Sequence, residues 1–109
     1  MSESFSCTAF VDSGRRVVTF AGELDLARVA EADAILSDGF DVLDVSELEF
    51  LDSSGLRVLL LASQDADPTP VLCGASGQVK RILELSGIDK MFVMEVAGRP
   101  NGRPPSPLI

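Results

Sequence analysis

The sequence contains no histidine and only two cysteines among its 109 residues. Histidine is the commonest general base and the commonest metal ligand, so its absence argues against a catalytic triad and against most metal sites. Two cysteines are too few to form a four-ligand zinc site by themselves. Both lie in short apolar runs, which predicts that Cys7 and Cys73 are reduced core thiols; a disulfide or a reactive thiol is the alternative. We expect neither a metal nor a cofactor.

Positive charge and long apolar runs are also scarce. Nine Lys and Arg stand against 17 Asp and Glu, which gives a net charge of -8. Nucleic acids and anionic membranes both select basic surfaces, so neither is an expected direct partner. The longest wholly apolar stretch, Val58 to Ala62, is far shorter than the roughly 20 residues of a membrane span. The N-terminus lacks the basic region of a signal peptide, so we expect a cytoplasmic location.

The length and composition indicate one domain and a tail. The chain is 46% hydrophobic and 24% charged, and 109 residues are too few for two independent cores. Four of the six prolines lie in residues 98–109. We predict a single domain over residues 1–97 and a disordered proline-rich tail over residues 98–109; a ligand for proline-binding modules is the alternative for this tail. The domain is expected to be a monomer.

The apolar pattern predicts a series of alternating strands and helices. Two alternating segments, residues 5–11 and 16–21, flank a turn and indicate an antiparallel hairpin. Asp25 is suited to capping a helix with Leu26 on its apolar face, and Ser53 and Ser54 are suited to capping the next. The remaining predicted elements are a helix over 26–36, a strand over 40–45, a helix over 56–63, a strand over 70–73, a helix from Ser76 to Gly87 and a strand over 91–96. The order β-β-α-β-α-β-α-β predicts a small mixed sheet with right-handed crossovers.

The segment Asp52-Ser53-Ser54-Gly55, directly before an apolar helix, is the most informative part of the sequence. A helix N-terminus has unpaired N–H groups and a partial positive charge, so it tolerates a phosphate. A phosphate on Ser53 or Ser54 would add a charge of about -1.5 to -2 and could switch off a docking surface without unfolding the helix. Plain helix capping is the alternative. The Gly-x-x-x-x-Gly-Lys and Gly-x-Ser-x-Gly patterns are absent.

Four segments, in order, resemble the STAS domain of bacterial anti-sigma factor antagonists. These are Gly22-Glu23-Leu24-Asp25, Asp44-Val45-Ser46 with Leu48 and Phe50 after it, Asp52 to Leu56, and Val79 to Ile88. The resemblance extends over residues 5 to 96. It implies an α/β fold: a small STAS-like mixed β-sheet with an N-terminal antiparallel hairpin, followed by β-α-β-α-β units, with helices packed against the sheet.

The resemblance also implies a regulatory cycle. A member of this kind binds an anti-sigma factor, which is a serine kinase of the histidine-kinase-like ATPase class, and so releases a sigma factor. The kinase phosphorylates the first serine of the motif, here Ser53, and the phosphorylated form dissociates. A phosphatase of the PP2C class restores the original state. The protein is then a substrate and a binding module, and not an enzyme.

Five further residues are expected at the partner surface by the same resemblance: Asp25, Asp52, Ser54, Gly55 and Arg57. Each has a structural alternative. The two aspartates and Ser54 are suited to helix capping, Gly55 to close packing, and Arg57 to a solvated surface. The first helix is shorter than is typical of the family and the tail has no counterpart in it, so the partner's identity stays open.

Two other functions remain as alternatives. The chain could be a STAS scaffold or accessory subunit in a larger assembly, stressosome-like or lipid-transport-like, with no role in sigma-factor control. It could also be a small nucleotide-binding or enzymatic domain, although the lack of histidine and of a phosphate-binding loop disfavours this function.

Overall fold

The computed structural model describes residues 5–95, so the tail predicted over residues 98–109 lies outside the described residues. The strands and helices follow one another as predicted, in the order β-β-α-β-α-β-α-β. They are β1 (Phe5–Asp12), β2 (Arg15–Leu24), α1 (Val29–Ser37), β3 (Val42–Leu51), α2 (Ser53–Asp65), β4 (Val71–Cys73), α3 (Gly77–Ser86) and β5 (Val93–Glu95), with short 3-10 helices at Leu26–Arg28 and Ile88–Met91.

The five strands form one sheet in the order in which they occur along the chain. β1 and β2 pair antiparallel, and β2 through β5 pair parallel. Each parallel strand is added beyond the previous one, so successive right-handed crossovers bring the three helices to the same face. The sheet confirms the predicted mixed fold.

The main core lies between the sheet and this layer of helices. It contains every buried apolar side chain of the three helices, among them Ala32, Leu59 and Leu83. A second, small cluster of Val17, Val42 and Cys73 comes from the alternate positions of the strands and includes no helix residue. Within the part of the chain that the structure describes, no helix is long and apolar enough to cross a membrane.

β3 is longer than the sequence pattern indicates. The predicted strand ended near Val45 or Ser46 with a loop after it, but the observed strand continues to Leu51. The pairing with β2 shifts register twice in this part, so extra residues of β3 are taken up as bulges. A bulge breaks the strict alternation of polar and apolar residues. For that reason the segment was wrongly predicted to be a loop.

The first helix also begins later than predicted. The chain after Asp25 makes a 3-10 turn, and α1 starts only at Val29. Leu26, which the helical spacing assigned to an apolar face, is 70% exposed. In α1 the buried side chains are Ala32 and Leu36. The change from 3-10 to α-helical geometry rotates Leu26 off the buried stripe, so its predicted core position is wrong.

Gly55 allows the start of α2 to lie against the end of β2. A Cβ atom at Gly55 would lie 2.8 Å from the carbonyl oxygen of Leu24 and 3.0 Å from the Cβ of Leu51. The same Leu24 carbonyl accepts a hydrogen bond from the N–H of Asp52 at 3.2 Å. The close-packing role considered for Gly55 is therefore present, and it fixes where α2 begins.

We expect Gly55→Ala to lower the free energy of unfolding by about 1–3 kcal/mol, because the added methyl group overlaps the Leu24 carbonyl. This loss exceeds the gain in helix propensity, which is about 1 kcal/mol. Ser54→Ala, in the same helical turn, is the control and should change the value by less than about 0.5 kcal/mol. Urea unfolding of the two variants tests this, and an unchanged value for Gly55→Ala would contradict it.

Both cysteines are free thiols, with Cys73 buried and Cys7 half-buried. The pKa of the Cys73 thiol is raised to about 11, mainly by burial and also by the carboxylates of Asp44 and Glu95, while Arg15 acts in the opposite direction. Burial likewise raises the pKa of Cys7, together with the charge of Glu31. Reduced thiols were predicted, and this structure contains no disulfide between them.

The raised pKa of Cys73 predicts a loss of stability at alkaline pH. The unfolded thiol loses its proton near the ordinary value of 9.0, whereas the folded one keeps it to about 11. The free energy of unfolding should therefore fall as pH rises through this window. Urea unfolding at several pH values, compared between the protein and Cys73→Ala, measures this contribution.

The burial of Cys73 can also be tested by thiol labelling. In a Cys7→Ser background, iodoacetamide at neutral pH should label the folded chain far more slowly than the denatured one; equal rates would contradict the burial.

Candidate functional site

Two of the predicted partner residues stand side by side at the carboxyl edge of the parallel strands. Leu24 and Leu51, the last residues of β2 and β3, are register partners in the sheet. Asp25 and Asp52 directly follow them, so they occupy matching positions on strands about 4.8 Å apart. The sheet thus places the two aspartates together, although 26 intervening residues separate them in the sequence.

Each aspartate caps the helix that follows it. The Oδ1 atom of Asp25 accepts a hydrogen bond from the N–H of Ala27 at 3.1 Å. The Oδ1 atom of Asp52 accepts one from the N–H of Gly55 at 3.1 Å. Both residues have the extended backbone usual for an N-cap. The capping role considered for each aspartate is confirmed, and it holds both carboxylates in fixed positions at the same edge.

The two serines do not cap α2, contrary to the sequence prediction. The helix begins at Ser53 itself, one residue after the Asp52 cap, so both serines lie in its first turn. No hydrogen bond from either hydroxyl to another described residue is present. Ser53 is exposed and Ser54 is half-buried. The hydroxyl of Ser53 is therefore accessible and is not committed to the fold.

The backbone around Ser53 is suited to a negatively charged group. Leu56 donates its N–H to the carbonyl of Asp52 at 2.9 Å, and Gly55 donates to the Asp52 side chain. Among residues 5–95, the N–H groups of Ser53 and Ser54 have no acceptor. Two free donors at the positive end of a 13-residue helix can stabilise a phosphate attached to the adjacent hydroxyl.

The surroundings of this edge are mostly acidic. Glu23 and Glu49, near the ends of β2 and β3, are exposed, in addition to the two capping aspartates. Arg57, one turn into α2, is also exposed, and no carboxylate of the described residues lies within 4.0 Å of its guanidinium group. No group of three or more Cys, Asp or Glu side chains within residues 5–95 is arranged to hold a metal ion.

A shallow groove between the bulged part of β3 and the start of α3 lies beside this edge. Its lining includes Glu47, Glu49 and Gln78, but no lysine or arginine of the described chain. Carboxylates repel the phosphates of a nucleotide, and the Nε2 atom of Gln78 is engaged with the Glu49 carbonyl at 2.9 Å. The groove therefore gives no support to nucleotide binding.

Leu26 is the residue of this edge that sequence reasoning missed. It directly follows Asp25, and 70% of its surface is exposed. An exposed apolar side chain at the edge that also carries an accessible serine is suited to contact with another protein. Its position immediately after an N-cap, before the helical stripe begins, is the signal that could have separated it from the core residues.

The family model described as the STAS domain matches residues 9–99. The fold is similar to the crystal structure of an anti-sigma factor antagonist from Mycobacterium paratuberculosis, with 28% identity, a TM-score of 0.73, and coverage of 84% of this chain and 86% of that chain. The crystal structure of an antisigma-factor antagonist STAS domain from Rhodobacter sphaeroides has 20% identity, a TM-score of 0.46 and coverage of 91% of both chains, which is too distant to support an argument. The chain belongs to the STAS domain family.

Proposed function

We propose that this protein is an anti-sigma factor antagonist that binds an anti-sigma factor and dissociates from it when Ser53 is phosphorylated. The observation that carries the proposal is the accessible, uncommitted Ser53 hydroxyl at the N-terminus of α2, next to two fixed carboxylates. The similarity to an anti-sigma factor antagonist over 84% of the chain supports the same function. The partner is then a serine kinase of the histidine-kinase-like ATPase class.

The charge of the site explains how phosphorylation could act as a switch. The unmodified edge presents the Asp25 and Asp52 carboxylates beside a neutral hydroxyl and the apolar side chain of Leu26. Transfer of the γ-phosphoryl group of ATP to the Ser53 oxygen releases ADP and the hydroxyl proton, and it adds a charge of about -1.5 to -2. A partner surface fitted to the neutral hydroxyl would have to bury this charge, which costs several kcal/mol without a compensating cation.

The same phosphate should leave the fold intact. The free N–H groups of Ser53 and Ser54 and the helix dipole favour a negative charge at this position by about 0.3–1 kcal/mol. The modification thus lowers the affinity for the partner without lowering the stability of α2. A phosphatase of the PP2C class would hydrolyse the ester and restore the hydroxyl. In this proposal the chain is a substrate and a binding module without catalytic residues or cofactors of its own.

The partner residues have different roles in the proposal. Asp25, Asp52 and Leu26 contact the anti-sigma factor directly, since they lie at the edge that carries Ser53. Gly55 is buried, so it acts by setting the position of α2. Ser54 and Arg57 flank the modified hydroxyl on the same helix. In this proposal the chain binds neither nucleic acid nor a membrane. It is a cytoplasmic monomer when it is bound neither to the kinase nor to the phosphatase.

The modified residue can be identified by mass spectrometry of the protein isolated from its native cells together with its bound proteins. We expect phosphate on Ser53 and a copurifying ATPase-type kinase. With that kinase and ATP, Ser53→Ala should remain unmodified and bound, whereas the matched control Ser54→Ala should be phosphorylated like the original chain. Ser53→Asp should fold but bind weakly, although a carboxylate carries less charge than a phosphate.

Two outcomes would contradict this proposal. Phosphate on Ser54 in place of Ser53 would show that the proposal assigns the switch to the wrong hydroxyl. An unmodified Ser53 in a stable multi-subunit assembly on gel filtration would favour the alternative function, a STAS scaffold or accessory subunit of a stressosome-like or lipid-transport-like complex.

Leu26→Ser is expected to weaken kinase binding about ten- to a hundredfold, because burial of a leucine side chain contributes roughly 1.5–3 kcal/mol. The matched control is Leu85→Ser, since Leu85 is 78% exposed but lies near the other end of α3, away from this edge. Both variants should keep the unfolding curve of the original chain. Titration calorimetry with the copurified kinase measures the two affinities, and equal losses for both leucines would contradict a specific contact at Leu26.

A further inference from the structure

We propose that Arg57 binds the phosphate on Ser53 and so stabilises the modified state of this chain; this inference rests on the proposed phosphorylation. Ser53 and Arg57 are four residues apart on α2, and both are exposed. Side chains with this spacing are neighbours on a helix surface, with Cβ atoms about 5–6 Å apart. A guanidinium group at the end of the long arginine side chain can therefore reach a phosphate on the serine.

The charge of Arg57 is not compensated within residues 5–95 of the unmodified chain. Arg57 is the fifth residue of α2, just beyond the first turn, to which the effect of the helix dipole is mostly confined. None of the carboxylates in residues 5–95 pairs with it, even though Asp25 and Asp52 are at the same edge. By contrast, the other arginine near this edge, Arg28, pairs with Glu31 at 3.2 Å. Arg57 is thus an exposed cation without a carboxylate partner among residues 5–95, and it lies one helical turn from the modified serine.

Phosphorylation supplies that anion. The planar guanidinium group donates two parallel hydrogen bonds to phosphate oxygens, a geometry that lysine cannot offer. The N–H groups of Ser53 and Ser54, which have no acceptor among residues 5–95, are available to the remaining phosphate oxygens. Arg57 also offsets the repulsion between the phosphate and the neighbouring Asp52 carboxylate. In the modified chain an ion pair between the phosphate on Ser53 and the guanidinium group of Arg57 then replaces the free hydroxyl.

This contact has two consequences that can be measured without any partner. A nearby cation favours the doubly charged form, so the second pKa of the phosphoserine should lie below its ordinary value of about 6. The phosphate group is also partly covered by the guanidinium, so a phosphatase reaches it less readily. Arg57 acts as a positioning residue for the modification and takes no part in phosphoryl transfer.

The test uses the full chain with phosphoserine installed at position 53 during translation, so that no kinase is needed. The phosphorus NMR signal is followed against pH in the chain with Arg57 and in Arg57→Gln. We expect the substitution to raise the phosphoserine pKa by about half a unit, the size expected of an exposed ion pair. Arg81→Gln, which removes an exposed arginine of α3, is the matched control and should leave the pKa unchanged.

Two further readouts separate this contact from a structural role. Arg57→Lys should keep part of the lowered pKa, because the charge remains while the paired hydrogen bonds are lost. Hydrolysis by a PP2C-class phosphatase should be about threefold faster with Arg57→Gln, because the contact that half a pKa unit measures no longer has to open before the phosphatase binds the phosphate. An identical phosphoserine pKa with and without Arg57 would overturn the inference. Because the phosphoserine is installed genetically, this failure is distinct from an absence of Ser53 phosphorylation in cells.

Discussion

The site depends on one contact, in which the carbonyl of Leu24 meets the start of α2. That oxygen accepts a hydrogen bond from Asp52 at 3.2 Å, and a Cβ on Gly55 would lie only 2.8 Å from it. The contact binds the end of β2 to the beginning of the helix that follows β3. As a result Asp25 and Asp52 stand side by side and the next residue, Ser53, projects to the surface.

The same geometry separates the stability of the fold from the affinity for a partner. Asp52 satisfies the N–H of Gly55, so α2 is capped whether or not Ser53 is modified. The free N–H groups of Ser53 and Ser54, directly after Asp52, lower the electrostatic cost of a phosphate for the helix. They do not lower the cost for a partner protein, which must remove water from that phosphate when it binds. A charge placed here is therefore tolerated within the chain and costly across an interface, which is the property that a docking switch requires.

The sequence was sufficient to predict the order of elements, since the apolar period changes clearly between strands and helices. It was not sufficient for β3, where bulges disrupt the alternation, or for Leu26, where a 3-10 turn shifts the helical phase. The motif singled out Ser53 as the candidate for modification, yet the cap was assigned to the serines because a sequence pattern does not fix a helix boundary to one residue. That Asp25 lies beside Asp52 depends on the register of Leu24 with Leu51, which is set by tertiary packing.

The absence of histidine determines what kind of signal the site can receive. Histidine is the side chain whose ordinary pKa lies near neutrality, and the sequence has none. The pKa of Cys73, a buried thiol, is raised still further from neutral, to about 11. A change of pH within the physiological range therefore has no histidine through which to alter the charge of this edge. A covalent change on the uncommitted hydroxyl of Ser53 would add charge at this edge without any titrating group, and in the proposed contact the guanidinium of Arg57 would be its counterion.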